Sequence, residues 1–358
     1  MNLLLLLGTA LIGFAATPYL VYLYGITLGK KMHSTIPLFT YPPISIVISA
    51  YNEEPNIKSR IENLVECGYP NAEIVFVDDH STDKTFELAK EYLDLYFTGY
   101  LLIHNEKQLG TSVSYNRAIK KTKNEIVVVT DADVRFKPDA LYHIIERLMS
   151  STRIGAVSGD LQPEPSSDRP VSLEQQYRSF YGRMCEWESA NGSTVNFNGA
   201  LIAFRKSAVI KITDSTGADD ANIAFDAIRN GYRAVYEKTA IVYEKVPGSF
   251  SVQKRQKVRR ATGLILSVIH NLDLVSATFI LRAWMWILSP MTFVIGTIYF
   301  LFGAGIFSFI LLPIILLVLW KSPFCMAFVI NQFYLISGLL NLGNNVQTWE
   351  STTSLEAQ

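Results

Sequence analysis

Residues 2–29 carry no charged side chain, and Lys30 and Lys31 come directly after them. A run of this length can cross a bilayer, for which roughly 20 apolar residues suffice. Lipid offers peptide groups no water, so a chain inside it must close its own hydrogen bonds as a helix. A cleaved signal peptide is the competing reading, but it has a basic residue before a shorter apolar core, not two lysines after it. Residues 1–30 are therefore expected to form a retained transmembrane anchor, with the lysine pair keeping the adjoining domain in the cytoplasm. Beyond Arg282 the chain is again nearly uncharged, and breaks at Gly303-Ala-Gly305 and Lys321-Ser-Pro323 divide it into about three spans, near 283–302, 304–320 and 324–343. Lys321 then lies in the cytoplasm and a polar tail, 344–358, outside. The middle span is short, so a re-entrant pair is the alternative.

Composition narrows the classes further. Of 358 residues, 49% are hydrophobic and 18% charged, too apolar for one soluble enzyme. Lysine plus arginine and aspartate plus glutamate each number 32, a balance that argues for no nucleic-acid partner. Cys67, Cys185 and Cys325 stand far apart, without the spacing of a disulfide framework or a zinc site. A reducing compartment fits.

Residues 40–246 read as a soluble domain. Pro37, Pro42 and Pro43 lead into a strand, 44–50, that ends in Tyr51-Asn-Glu-Glu-Pro55. A helical pattern comes next through Ile57, Ile61, Leu64 and Val65, closed by Gly68 and Pro70. A second strand, 73–77, empties into Asp78-Asp-His-Ser-Thr-Asp83 and a helix over 84–92. Then come a strand at 100–104, a helix around 114–122, a valine-rich strand at 126–130 and a helix over 138–149. Strand–helix alternation of this kind predicts an α/β doubly wound parallel sheet, with polar turns at the strands' carboxyl ends, where such sheets bind ligands.

Those turns carry the candidate chemistry. Tyr51 offers a flat face for a nucleobase, while Glu53 and Asp79 offer carboxylates for base or ribose donors. Asp131 and Asp133 end the valine strand and suit a hard divalent ion through oxygen ligands. Such an ion would neutralise a diphosphate that carboxylates alone repel. Each has a plainer reading: Tyr51 as packing, Asp78, Asp79 and Ser81 as turn and helix cap. Three such turns on alternating strands are hard to explain by capping.

The motifs Ser49-Ala-Tyr-Asn-Glu53, Val77-Asp-Asp-His-Ser81 and Asp131-Ala-Asp133 resemble, in order and spacing, the nucleotide-sugar motifs of inverting family 2 glycosyltransferases. Phe197-Asn-Gly-Ala200 with Arg205-Lys206 resembles the family's acceptor-side glycine strand. Ala218-Asp-Asp220 resembles its T-E-D element, and Gln256-Lys-Val-Arg-Arg260 the Q-x-x-R-W motif of membrane-embedded members. Those members include the cellulose, chitin and hyaluronan synthases and the shorter N-acetylglucosamine polymerases. The resemblance covers roughly residues 44–263 and implies the GT-A (nucleotide-diphospho-sugar transferase) fold.

By that resemblance, Tyr51, Glu53 and Asp79 would hold the nucleoside of a UDP-sugar, Asp131 would contact the ribose–diphosphate, and Asp133 would ligate Mg2+ or Mn2+. Asp220 would be the general base, a role worth typically ~10²–10⁴-fold. Arg259, with Gln256 nearby, would stabilise the departing diphosphate. Gly199, Asp219 and Arg260 would lie on the acceptor side. The sequence departs from the family pattern at Arg260, in place of tryptophan, at Ala218 and Asp219, and at Thr111, where a lysine is usual after glycine.

Plainer readings exist here too. Asp219 and Asp220 suit the first turn of a helix. Lys254, Arg255, Lys257, Arg259 and Arg260 suit a membrane-surface patch on an interfacial segment, 247–281, whose apolar stripe is Leu264, Ile265, Val268 and Ile269. Both hold together if Arg259 faces the site and its neighbours face lipid. Residues 161–170 read as a proline-rich loop. Over 174–189, Tyr177, Phe180, Tyr181, Met184 and Trp187 form either a core-facing stripe or an acceptor wall. The leading expectation is thus a cell-membrane hexosyltransferase with a cytoplasmic catalytic domain, extending a polysaccharide. Single transfer to a polyprenyl-phosphate or lipid-linked acceptor is the alternative, and a non-catalytic transporter or scaffold the remote one.

Overall fold

The computed structural model describes residues 2–165, 169–214, 218–245 and 250–343. Helix α1 (Leu3–Leu28) precedes an α/β unit of β1 (Ile44–Ala50), α2 (Glu54–Cys67), β2 (Ala72–Asp78), α3 (Thr85–Tyr96), β3 (Tyr100–His104), α4 (Thr111–Ile119), β4 (Ile126–Asp131), β5 (Val134–Phe136) and α5 (Ala140–Met149). The unit closes with β6 (Ile154–Pro163), α6 (Arg169–Asn191), β7 (Ile202–Arg205), α7 (Asp219–Arg229) and β8 (Arg233–Glu244). Helices α8 (Phe250–His270), α9 (Ala277–Ala283), α10 (Ser289–Ala304), α11 (Ser308–Lys321) and α12 (Pro323–Leu340) complete the chain, with a π turn, Trp284–Leu288, joining α9 to α10.

The sheet runs β3-β2-β1-β4-β7-β6-β8-β5. Its first four strands are parallel, as expected, with Ile44 to Ser49 in register beside Ile126 to Asp131. Side chains of β1 alternate between faces: Ile44, Ile46 and Ile48 pack with α2 and α5 residues, and Val47 with α4 and α7 residues. The period-2 pattern of a strand buried on both sides explains this. The second half mixes directions, with β6 and β8 paired in parallel. β7 runs antiparallel to both β4 and β6, and β5 antiparallel to β8, so the whole sheet is mixed. Leu161 to Pro163 are not loop but the end of β6, paired with β8. A proline fits there because β7 has already left that edge.

Two helical stretches, Leu3–Leu28 and Ala277–Val318, are long and apolar enough to cross a membrane. α1 and α10 lie antiparallel with their backbones in close approach. A side chain at Gly8 would strike the Phe300 backbone, one at Gly296 would strike Ile12, and one at Gly303 would strike Leu5. Small residues at such seams are how apolar helices pack where no hydrophobic force separates them from lipid. Gly303 is therefore a contact residue; the helix ends two residues later, at Gly305 with φ +56°. α1 then meets the α/β unit through Trp187, whose ring fills the notch left by Gly25 and Gly29.

The last helices depart from the expected spans. α11 has 14 residues, about 21 Å, short of a hydrocarbon core of ~30 Å. α12 starts beside Phe293 and Tyr19, through Phe328, and ends with Gly338 against Ala261 and Thr262 of α8. α11 begins at the end of α10 that packs on Leu5, so α11 and α12 together return the chain toward the α/β unit, broken at Ser322-Pro323. This geometry opposes the expectation that the last helix leaves the chain outside; the tail 344–358 lies outside the described residues. Single cysteines placed at Lys90 and at Asn341 are expected to react with a membrane-impermeant thiol reagent from the same face of sealed vesicles. Reaction from opposite faces would refute the arrangement.

Candidate functional site

The turns after β1 and β2 interlock. Asn52 adopts φ 54° and His80 φ 68°, left-handed conformations that asparagine and histidine tolerate better than most residues. Asn52 N donates to Ser81 Oγ at 2.9 Å, Thr82 N to Asn52 Oδ1 at 2.8 Å and Glu53 N to Thr85 Oγ1 at 2.8 Å. A small pocket between them is lined by Tyr51, Asp79, Gln108, Thr111 and Asp131. Asp79 does more than face it. Its carboxylate accepts from Leu109 N (2.9 Å), Gly110 N (2.8 Å), Asn105 Nδ2 (2.6 Å) and Ser114 Oγ (3.1 Å), and so holds the 105–114 loop in place.

Glu53 is a correction. Expected at the nucleoside, it is fully buried, off the pocket. Oε2 accepts from Asn56 Nδ2 at 2.6 Å, and Oε1 has no hydrogen-bond partner among the described residues. Burial, then Asp133 and Asp131, push its carboxyl up to about 9. Burial and Asp133 likewise raise Asp131 to about 7, and burial and Glu244 raise Asp133 to about 6. Three acids crowd one place. No set of three His, Cys, Asp or Glu ligands forms a complete metal cage among the described residues. Two strained carboxylates still suit a divalent ion whose remaining ligands come from substrate phosphates. Behind them, Arg60 is buried, donating to Thr130 Oγ1 at 2.9 Å and stacked 4.1 Å from the Phe136 ring centre. Asn63 grips Phe136 at both N (2.7 Å) and O (2.9 Å). Helix α2 thereby fastens both flanks of the turn that carries Asp131 and Asp133.

Across the crevice, Asp219 and Asp220 open α7. Ser112 Oγ donates to Asp219, and burial still raises that acid to about 6. Burial raises Asp220 against the pull of the Ala221 N–H, Arg260 and Arg259. Arg259 lines the same cavity as Asp131, Asp219 and Asp220; burial and Arg260 lower it, against the charges of those three acids. Gly199 stands opposite: a side chain there would lie 3.4 Å from Asp131 Oδ2. Gln256 is half-buried on α8, off the cavity lining.

Arg260 and Lys257 correct the membrane-patch reading, because both face acids. Lys257 Nζ lies 2.5 Å from Glu174, Arg178 bridges Glu174 (2.8 Å) and Glu244 (2.7 Å), and Arg260 lies 2.9 Å from Glu244. Burial works against the two acids, but their cations prevail and hold Glu174 and Glu244 down to about 2. Only Lys254 and Arg255 of the basic run remain exposed with Arg260. Ile265 and Val268 of the apolar stripe are buried against Trp286 and Leu335, not lipid. The partners Glu174, Arg178 and Glu244 escaped the motif reading. Glu174 and Arg178 were detectable as an i, i+4 pair; Glu244 carried no signal.

One cavity of about 300 Å³ joins these groups, running from Asp131 and Gly199 past Asp219, Asp220, Arg259 and Arg260 to Tyr177, Trp286 and Leu335. The aromatic stripe divides between cavity and core. Tyr177 and Tyr181 line the cavity, while Met184 is core and Trp187 packs on α1.

Residues 45–213 match the family described as Glycosyl transferase family 2. A poly-beta-1,6-N-acetyl-D-glucosamine synthase of Staphylococcus aureus (strain COL) is 28% identical over 228 residues, 62% of this chain and 54% of that protein. Its Staphylococcus epidermidis counterpart is 26% identical over 225 residues, again 62% and 54%. The chain thus spans about half the length of the curated relatives it matches. A solved mannosyltransferase from Pyrobaculum calidifontis, in complex with GDP-Man and Mn2+, shares the fold at TM-score 0.82 and 24% identity, over 95% of this chain and 99% of that one.

Glu53 supplies a pH test. Its folded-state value, about 9, exceeds the ordinary ~4.3, so the folded protein binds the extra proton and stability falls as pH rises through that window. The metal-free protein is expected to lose several degrees of melting temperature between neutral pH and pH ~9, and Glu53→Gln to flatten that loss. An unchanged slope in Glu53→Gln, by thermal melting across the range, would remove Glu53 as its source.

Proposed function

Starting from a chain whose residues 45–213 form a glycosyl transferase family 2 domain, we propose that it moves a sugar from a nucleotide-diphosphate donor to a saccharide hydroxyl with inversion. One observation carries this: Asp131, Asp220 and Arg259 line one cavity. Tyr51 and the loop held by Asp79 would seat the nucleoside. Asp131 would meet the ribose–diphosphate. Asp133, with Asp131 beside it, would hold Mg2+ or Mn2+, whose chemistry when bound is to neutralise the diphosphate. The mannosyltransferase of the same fold holds GDP-Man and Mn2+, which supports a nucleoside-diphosphate sugar, a UDP-sugar by the motif resemblance, as the donor here.

Asp220 takes the proton as the acceptor oxygen attacks the anomeric carbon. A base works best near the working pH, and burial moves Asp220 upward in that direction. Arg259 then faces the charge that develops on the leaving diphosphate. Attack from the face opposite that group inverts the anomeric centre. A phosphate acceptor would need no base, and it would meet six lining carboxylates, Asp131, Asp160, Glu174, Asp219, Asp220 and Glu244, against four cations. The balance favours a hydroxyl. The Staphylococcus relatives are named as polymer synthases, which supports a growing polysaccharide as the acceptor. Lys30 and Lys31 behind α1 support a cytoplasmic catalytic domain in the cell membrane.

The test is transfer of label from a panel of radiolabelled UDP- and GDP-sugars by vesicles containing the protein, with Mn2+. Transfer is expected with at least one donor, and none with any would sink the reading. Asp220→Asn should cut transfer ~10²–10⁴-fold while donor binding persists. Near-normal turnover in that variant would move the base elsewhere.

A further inference from the structure

Arg260 stands where the family motif carries tryptophan, and its partner is an acid beside the donor turn. Glu244 ends β8 where β5 runs antiparallel to it, with Val134 opposite Glu244, so this acid lies next to the turn that carries Asp131 and Asp133. Its carboxylate accepts from two guanidinium groups, Arg178 Nη2 on Oε2 at 2.7 Å and Arg260 Nη2 on Oε1 at 2.9 Å. Arg260, Glu244, Asp131 and Asp220 line one cavity. Burial and then Glu244 push the Asp133 carboxyl up, and Arg260 pulls it down. The motif position that would stack on an acceptor thus holds a cation on the side of the donor acids.

The two arginines on Glu244 are not equivalent. Arg178 is held by Glu174 as well, and its side chain is 13% exposed. The Arg260 side chain is 46% exposed and has Glu244 as its one ion-pair partner among the described residues. Breaking a buried pair is costly when it leaves one charge alone, but Arg178 stays on Glu244 if Arg260 turns away. A guanidinium that can leave its carboxylate is suited to phosphate oxygens, which match its fork of donors. The phosphate nearest Asp220 during attack is the one bonded to the anomeric carbon.

We propose that Arg260 exchanges Glu244 for the β-phosphate of the nucleotide donor when the donor binds, as a second guanidinium beside Arg259. This rests on the glycosyl-transfer reading above. It makes Arg260 a donor-side residue, where the motif resemblance implies the acceptor side. Glu244 is its parking place in the empty site, and Arg178 keeps that acid neutralised during the exchange.

The test measures binding of UDP, GDP, UMP and GMP, each with Mn2+, by titration calorimetry on the full chain in nanodiscs. Charge-assisted hydrogen bonds are the strong ones, so Arg260→Gln is expected to weaken the diphosphate that binds about tenfold and its monophosphate by less than about twofold. Arg260→Trp, which restores the motif residue, is expected to show the same selective loss. Glu244→Gln removes the competitor for Arg260 and should bind the diphosphate at least as tightly as the unaltered protein. Unchanged diphosphate affinity in Arg260→Gln would overturn the exchange. Equal losses for mono- and diphosphate would do so too, since they mark a structural role, as would a loss in Glu244→Gln as large as that in Arg260→Gln. If Arg260→Gln fails to fold, Arg260→Trp and Glu244→Gln decide by the same criteria. Absence of any diphosphate binding by the unaltered protein would instead sink the nucleotide-donor reading, a different failure from these.

Discussion

Glu188 takes hydrogen bonds from two distant parts of the chain, Tyr22 of α1 and Arg282 of α9 at 2.6 Å, and from the nearby Thr194 just after α6. Glu188 and Arg282 are both fully buried. Removing two ions from water costs several kcal/mol each, and breaking such a pair by losing one partner typically costs ~3–5 kcal/mol. The joint between the catalytic unit and the apolar helices therefore tolerates one arrangement. Arg282 also lies 5.4 Å from the ring centre of Tyr181 and 5.6 Å from that of Trp286, and both rings wall the cavity. The pair that fixes the joint also shapes the far end of the site.

Two other devices keep the halves in register. The glycine seam of Gly8, Gly296 and Gly303 brings α1 and α10 to backbone contact, so α1 cannot slide without a clash. Trp187 in the notch of Gly25 and Gly29 carries that position into α6. α6 in turn supplies Glu174 and Arg178 to the ion pairs that end at Arg260. An apolar helix that contributes no residue to the cavity lining thus helps set the wall against which α8 presents Arg259 and Arg260. Crowding on the donor side is the opposite case. Burial and the charge of Asp133 raise both Glu53 and Asp131, and the buried Arg60 lies behind them.

Local patterns made much of this legible. The valine run before Asp131 and the polar turns after β1 and β2 identified the parallel half of the sheet and its crevice, because period and turn chemistry are short-range properties. The mixed half was not legible. β7 has four residues, and nothing in so short a strand says which way it runs. Arg260 looked like a lost aromatic and a lipid-facing cation. Its partner, Glu244, is 16 residues away on another element, a distance that no motif spans.

The sequence by itself determined the two apolar ends, the α/β middle and the acids that face the crevice, since each arises from composition or periodicity within a few turns or strands. Only the tertiary structure decided that Glu53 is buried, that Lys257 and Arg260 pair with Glu174 and Glu244, and that α12 ends against α8. Each of these depends on what lies opposite a side chain. Burial, charge pairing and helix direction are set by contacts between elements tens or hundreds of residues apart, and the energy of a buried charge belongs to the pair, not to either residue alone.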